Sequence, residues 1–241
     1  MRLIKAGILL SLMVVSTAQA LPFLYNWSSG DLAASANFAV VSGNLQVTLT
    51  NTSSSDVMNP SQVLTALFFD LSSNPALSRI SANLGGGSTV YFGPSNGGNV
   101  GGEWAFKYDP TFQSLYGFGR YGMSAAGFGL FGPPDLFPGP NLQGPNSPNG
   151  LEYGIVSAGD NLANGNAAVT GGFALIKNST VFTLGGIPGS FDPSSAVSNV
   201  RFLYGTSLTE NPPEVPEPAT LLLLASGLAG AVGYSRLRQK K

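Results

Sequence analysis

The chain has no cysteine and no histidine among its 241 residues, and only 10% of it is charged. Without cysteine, an exported chain cannot be stapled by disulfides, and its stability has to come from packing and hydrogen bonding. Without histidine, Ser-His-Asp and Cys-His catalysis, the usual zinc ligand sets and any imidazole pH switch are excluded. Charge is also unevenly spread. Between residues 21 and 214 only five cations (Arg79, Lys107, Arg120, Lys177, Arg201) stand against eleven acids, a net charge of −6, because the other six cations sit in the two terminal segments. An acidic surface with no basic cluster argues against nucleic acid as a partner. A helical stripe is missing too: no segment between the ends repeats its apolar residues at helical spacing over three turns.

The ends are built differently from the middle. Residues 1–20 read MRLIKAGILLSLMVVSTAQA: two cations (Arg2, Lys5), an apolar stretch over 6–15, then small residues at Ala18 and Ala20. That order is the pattern signal peptidase reads in a secretory signal peptide, so the mature chain is expected to begin near Leu21. At the other end, residues 219–235 are uncharged. As a helix they would reach about 25 Å, just short of a hydrocarbon core of about 30 Å. Pro218 suits a first helical turn, where its missing N–H has no partner, and Glu217 complements the positive end of the helix dipole. Arg236, Arg238, Lys240 and Lys241 form a basic stop that stays cytoplasmic, which puts residues 215–218 on the exported face. An ordinary anchor has no use for Pro-Glu-Pro directly outside its span.

The closing stretch VPEPATLLLLASGLAGAVGYSRLRQKK resembles the PEP-CTERM sorting signal of Gram-negative, exopolysaccharide-producing bacteria. Val215, Pro216, Glu217, Pro218 and Thr220 match its motif, residues 221–234 its short helix, and Arg236, Arg238, Lys240 and Lys241 its basic tail. The resemblance covers the last 27 residues, in three features of fixed order. It implies a membrane enzyme, exosortase, as processing partner, with the inner membrane as a transient station. Cutting near the motif would then deliver the chain to the cell surface or an extracellular, biofilm-type exopolysaccharide matrix. The middle resembles exosortase-dependent surface proteins of unassigned activity more loosely, and that likeness implies a compact β domain.

The organisation expected is therefore a signal peptide (1–20), one exported β-rich domain (21–214) and a sorting signal (215–241). Residues 44–50 alternate Leu45, Val47 and Leu49 with Gln46, Thr48 and Thr50, the period of a half-buried strand. Residues 63–71 form an apolar run with two phenylalanines and read as a buried strand. Further strands are expected over 77–84, 88–92, 103–108, 153–157, 167–176, 180–184 and 199–204, nearly all bounded by Gly, Asn, Ser or Pro. Asn164-Gly165 and residues 177–179 suggest turns between consecutive antiparallel hairpins. The fold class expected is mainly β, a single β-sandwich or jelly-roll-like domain flanked by the signal peptide and a transmembrane sorting helix. Residues 116–150 interleave glycine with aromatics and then proline, and are read as an ordered loop pinned by Tyr116, Phe118, Tyr121, Phe128, Phe131 and Phe137.

Chemistry is sparse. Residues 117–122 satisfy G-x-G-x-x-G, but proline and glycine follow where a dinucleotide site needs a helix, so glycines packing between rings explain the letters better. Residues 160–166 (DNLANGN) offer oxygens, yet Leu162 stands at the third position of an EF-hand-like loop and the bidentate Glu is missing. No cofactor is expected, with a structural calcium somewhere among the acids left open. Asp70, Glu103, Asp109 and Glu152 are the candidates for a paired-carboxylate glycoside hydrolase. Trp27, Trp104, Tyr116 and Tyr121 could form an aromatic platform for sugar rings, against the plainer reading of Trp104 as a core residue on a strand. The expected function is a structural or adhesive surface protein rather than an enzyme, with a carbohydrate-binding module as the alternative.

Overall fold

The computed structural model describes residues 20–208, except 162, 166–168, 170 and 171. The protein is mainly β, with twelve strands in two sheets among the described residues.

The first sheet is antiparallel throughout, in the order β1 (Phe23–Ser29), β2 (Leu32–Val41), β3 (Asn44–Asn51), β11 (Ser179–Gly185), β5 (Ser78–Leu84). Its first three strands form a meander. The β2–β3 turn uses Ser42 and Gly43, both at positive φ, as a two-residue hairpin of the twist-matching kind requires. In β3 the expected alternation holds: Leu45, Val47 and Leu49 are buried and the polar residues between them are half-exposed.

The second sheet runs β6 (Thr89–Tyr91), β10 (Leu175–Lys177), β9 (Ile155–Val156), β4 (Leu64–Leu71), β8 (Tyr121–Ser124), β7 (Ala105–Tyr108), with β12 (Val197–Tyr204) on the other edge of β4. Every residue of β4 is buried, because both of its edges are paired and both of its faces are covered. On one side Leu64, Leu67, Phe69 and Leu71 join Phe38, Val47 and Phe182 of the first sheet in one core cluster. On the other, Ala66 and Phe68 meet Phe112, Phe118 and Phe131 in a second cluster. Phe112 belongs to helix α1 (Thr111–Tyr116), and Phe118 and Phe131 to the glycine-aromatic segment. That segment is ordered because its rings form the apolar cover of the second sheet.

Three expectations need correction. Asn164-Gly165 does not join a hairpin, since β9 and β10 on either side of it pair in parallel, Ile155 beside Ile176. Residues 177–179 do not join a hairpin either. Asn178, at φ 87°, is a single-residue pivot at which the chain leaves the second sheet as β10 and enters the first as β11. Its N–H donates to Val156 O while its own carbonyl accepts from Asn51 N–H, so it is bonded on both sides of the crossing. The strand expected over 167–176 is only Leu175–Lys177 among the described residues.

Among the described residues no helix is long and apolar enough to cross a membrane. The expected sorting helix, its motif (Val215, Pro216, Glu217, Pro218, Thr220), its basic tail (Arg236, Arg238, Lys240, Lys241) and Ala18 of the signal-peptide site lie outside the described residues. Ala20 is the first described residue, and Leu21 after it is exposed.

Candidate functional site

The aromatic residues proposed as a sugar platform do not form one. Trp104 and Tyr121 are fully buried and Trp27 is 4% exposed; among the four only Tyr116 reaches solvent, at 38%. Each buried ring has a structural partner. Trp104 packs edge-on against Phe182 of the opposite sheet, and its indole N–H donates to Tyr153 O at 3.1 Å. Tyr121 stacks on Phe69 and donates its hydroxyl to Pro75 O at 2.7 Å. Trp27 contacts Phe202 and Tyr204. Large apolar rings on a half-buried strand go inward because burial of their area outweighs any use at the surface. The core reading of Trp104 is the correct one.

The glycines of residues 117–122 are explained by packing. Gly117 ends α1 in the left-handed conformation at φ 68°. A side chain on Gly119 would fall on the backbone of Phe69, and one on Gly122 would meet Phe131 Cζ at 2.7 Å and Phe68 Cε1 at 2.8 Å. A glycine inside strand β8 marks such a close approach.

Of the four candidate carboxylates, two are structural. Asp70 Oδ1 accepts from Arg120 Nε at 2.7 Å and from the Arg120 backbone N–H at 3.0 Å, and Oδ2 accepts from Asn199 Nδ2 at 3.2 Å. Asp109 accepts from the hydroxyl and backbone N–H of Thr111 and pairs with Lys107 at 3.1 Å; these bonds, those from Thr111 foremost, hold its carboxyl below the usual range.

The other two, Glu103 and Glu152, are brought into the same buried region. A short turn, Gly101–Glu103, leads into β7, and the Trp104–Tyr153 hydrogen bond draws it against residues 151–154. Glu103 is fully buried. Its Oε1 accepts from Leu142 N–H and Gln143 N–H, and its Oε2 from the Ser147 hydroxyl, so one carboxylate fastens the segment 141–147 to the sheet. Burial pushes its carboxyl up against these three donors. Glu152 is 5% exposed; burial raises it too, Asn149 beside it lowers it, and the charge of Glu103 adds a further upward push. Glu152 Oε2 and Asn149 Oδ1 are buried without a hydrogen-bond donor. Neither carboxylate lines any of the three described clefts.

An open site missed by the sequence reading lies where the two sheets meet. The edge strands β5 and β7 flank a cleft of about 520 Å³ lined by Ser78, Arg79, Lys107, Tyr108 and Asp135. Tyr108 is 44% exposed there, and Arg79 donates to Pro134 O at 2.7 Å. No motif announces it, because its residues come from three separated segments. Near Asp160, Asn161 Oδ1 accepts from Ala163 N–H, and Asp56 accepts from Asn161 N–H and Asn164 Nδ2.

The clearest functional statement comes from the C-terminus, where the chain carries the signature of a protein sorted and processed at its tail. The match is to the PEP-CTERM protein-sorting motif, over residues 214–239. The chain thus carries a PEP-CTERM sorting motif, and that motif indicates an exosortase-dependent sorting substrate and implies export and a surface or extracellular location. No curated protein and no solved structure matches the chain.

Proposed function

We propose that the protein is a structural or adhesive component of the cell surface or its exopolysaccharide matrix, released from its membrane-held form by exosortase and not itself an enzyme. The observation that carries this reading is the sorting motif at residues 214–239 on a domain whose candidate catalytic carboxylates are either bonded to capacity or buried. In this reading signal peptidase removes residues 1–20, the two sheets are the halves of a sandwich, and the 219–235 helix holds the chain in the inner membrane only until processing. A closed, aromatic-rich core with an acidic, sparsely charged exterior suits a protein that must persist outside the cell without disulfides.

Replacing Pro216 and Glu217 together by alanine tests the sorting step. Wild-type protein from the native host is expected at the surface with an intact mass lacking the C-terminal helix. The double variant is expected in the inner membrane at full length, with surface protein reduced at least tenfold. Equal processing of both forms would refute the motif's role here.

A second reading, a carbohydrate-binding module, is favoured by one observation: the β5–β7 cleft offers an exposed tyrosine ring, the Arg79 cation and the Asp135 carboxylate at a sheet junction. Sugar rings present an apolar face and a hydroxyl edge, and this set provides for both. If it holds, Tyr108→Ala will lower retention on matrix polysaccharide about tenfold, the loss of a stacking contact worth about 1.4 kcal/mol, while thermal stability stays near wild type. Retention unchanged by Tyr108→Ala would remove this cleft from the account.

A further inference from the structure

Glu103 and Glu152 are nearly or fully buried carboxylates in one region among the described residues, where the charge of Glu103 acts on Glu152 and no cation acts on either. The two ion pairs among the described residues, Lys107–Asp109 and Arg120–Asp70, lie elsewhere. Buried charge is ordinarily neutralised by a paired ion, a bound metal or a full set of donors. Glu103 has its donors: two backbone N–H groups and the Ser147 hydroxyl. Glu152 has only a side-chain hydrogen bond from Asn149, and its Oε2 is buried and receives none. Asn149, three residues earlier, is in the same position: its Nδ2 is committed to Pro145 O at 3.0 Å and its Oδ1 is buried with no donor.

Oxygen acceptors in excess of donors, one of them a carboxylate and backed by a second negative charge, are what a hard cation requires. The contrast with the other orphaned carboxylate is informative. Asp160 Oδ2 also lacks a donor, but Lys177 acts on that carboxyl and donates to Asp160 O at 3.4 Å, so that field is already met by a cation. Nothing plays the part of Lys177 at Glu152.

We infer that Glu152 Oε2 and Asn149 Oδ1, with the charge of Glu103 behind them, hold a divalent calcium-class cation that locks residues 141–152 onto the second sheet. Calcium fits better than a transition metal because the donors are all oxygen and the chain has no histidine or cysteine. It also fits better than magnesium, which demands near-ideal octahedral geometry and keeps its water. No group of three or more acidic, histidine or cysteine side chains occurs among the described residues, so backbone carbonyls and water must complete the shell. That ligand set places the site in the weak class of extracellular calcium modules, with Kd of about 10⁻⁴ to 10⁻³ M. A cation of that affinity would be bound after export and absent in the cytoplasm, making the site a device for stiffening the domain at its destination.

The rival explanation is a single proton: a neutral Glu152 could donate to Asn149 Oδ1 and satisfy both atoms. Two measurements on protein purified from the native host separate them. In the first, chelator-treated protein at neutral pH is titrated with CaCl₂. The wild type is expected to gain about 5–10 °C in Tm at saturating calcium, and Glu152→Gln to lose that response. In the second, Tb³⁺ replaces calcium, and Trp104, next in sequence to Glu103, sensitises its emission; the signal is expected in wild type, displaced by calcium and absent from Glu152→Gln. A wild type whose Tm ignores calcium and which gives no sensitised terbium emission overturns the site. So does a Glu152→Gln variant that keeps either response, or one that is as stable as wild type while neither form responds to calcium, since glutamine mimics the protonated acid.

Discussion

Replacing Gly119 with alanine is expected to abolish soluble, folded protein. The Cβ would fall on the backbone of Phe69, which lies in β4, the strand paired on both edges and covered on both faces. Relief by rotation of a side chain is not available when the obstacle is main chain. Either β4 moves and takes its pairing with β8 and β12 with it, or the 117–120 segment lifts and uncovers Phe68, Phe118 and Phe131. Overpacking alone costs about 1–3 kcal/mol where side chains can yield, and here they cannot; a domain holds only about 5–15 kcal/mol in all. Gly117→Ala is the matched control. Nothing lies within 4 Å of its added Cβ, and only the left-handed φ of 68° opposes it, a cost of about 1 kcal/mol. Soluble yield and far-UV circular dichroism of the two variants should therefore diverge. If Gly119→Ala folds with the Tm of wild type, the aromatic segment does not lie on β4 in the way described.

Legibility in the sequence followed chemical contrast. β3 and β4 were readable because leucine and phenylalanine alternate with threonine, or run uninterrupted, and the burial of those residues is what those patterns demand. β2 was missed although it is ten residues long: its inner face is Ala34, Ala36 and Phe38 and its outer face Ser35, Asn37 and Ala39, and alanine against serine makes almost no hydropathic contrast. β8 was hidden by Gly122, a residue depleted from strands and retained here because two rings fill the place of its side chain. Sheet membership was beyond reach. Asn178 looks like a turn residue and does have positive φ, but whether the chain folds back on itself or crosses to the other sheet depends on partners more than a hundred residues away, such as Asn51. The same limit applies to the candidate site. The sequence offered Glu103 and Glu152 among eleven acids of the exported part, but their meeting depends on a Trp104–Tyr153 hydrogen bond across 49 positions. The terminal sorting signal was legible for the opposite reason: it is linear, and is read as a string of residues rather than as a surface.

Asp70→Ala is expected to cost about 3–4 kcal/mol, which places it among the most damaging polar substitutions in the domain. Asp70 sits in β4 at 4% exposure and holds two neighbouring segments at once. Its Oδ1 receives both the backbone N–H and Nε of Arg120 at the entrance to β8, and its Oδ2 receives Asn199 Nδ2 from the irregular stretch of β12. Alanine would strand all three donors, and the cost of unmet buried groups exceeds the net value of the bonds. Arg120 is a quarter exposed and can recover some hydration, which is why the estimate stays below the upper end for a fully buried pair. Asp70→Asn keeps an acceptor for the Arg120 N–H while losing the charge, and should cost about half as much. The difference between the two variants, read from urea midpoints at constant m-value, isolates the ionic part. It should change little between low and high salt, because a carboxylate at this depth is poorly screened. A Tm within two degrees of wild type for Asp70→Ala would show that Arg120 and Asn199 find other partners. The result also bears on catalysis: a hydrolytic carboxylate lost to alanine leaves a stable but inactive fold, whereas Asp70, with both oxygens committed to neighbouring segments, is expected to take the fold with it.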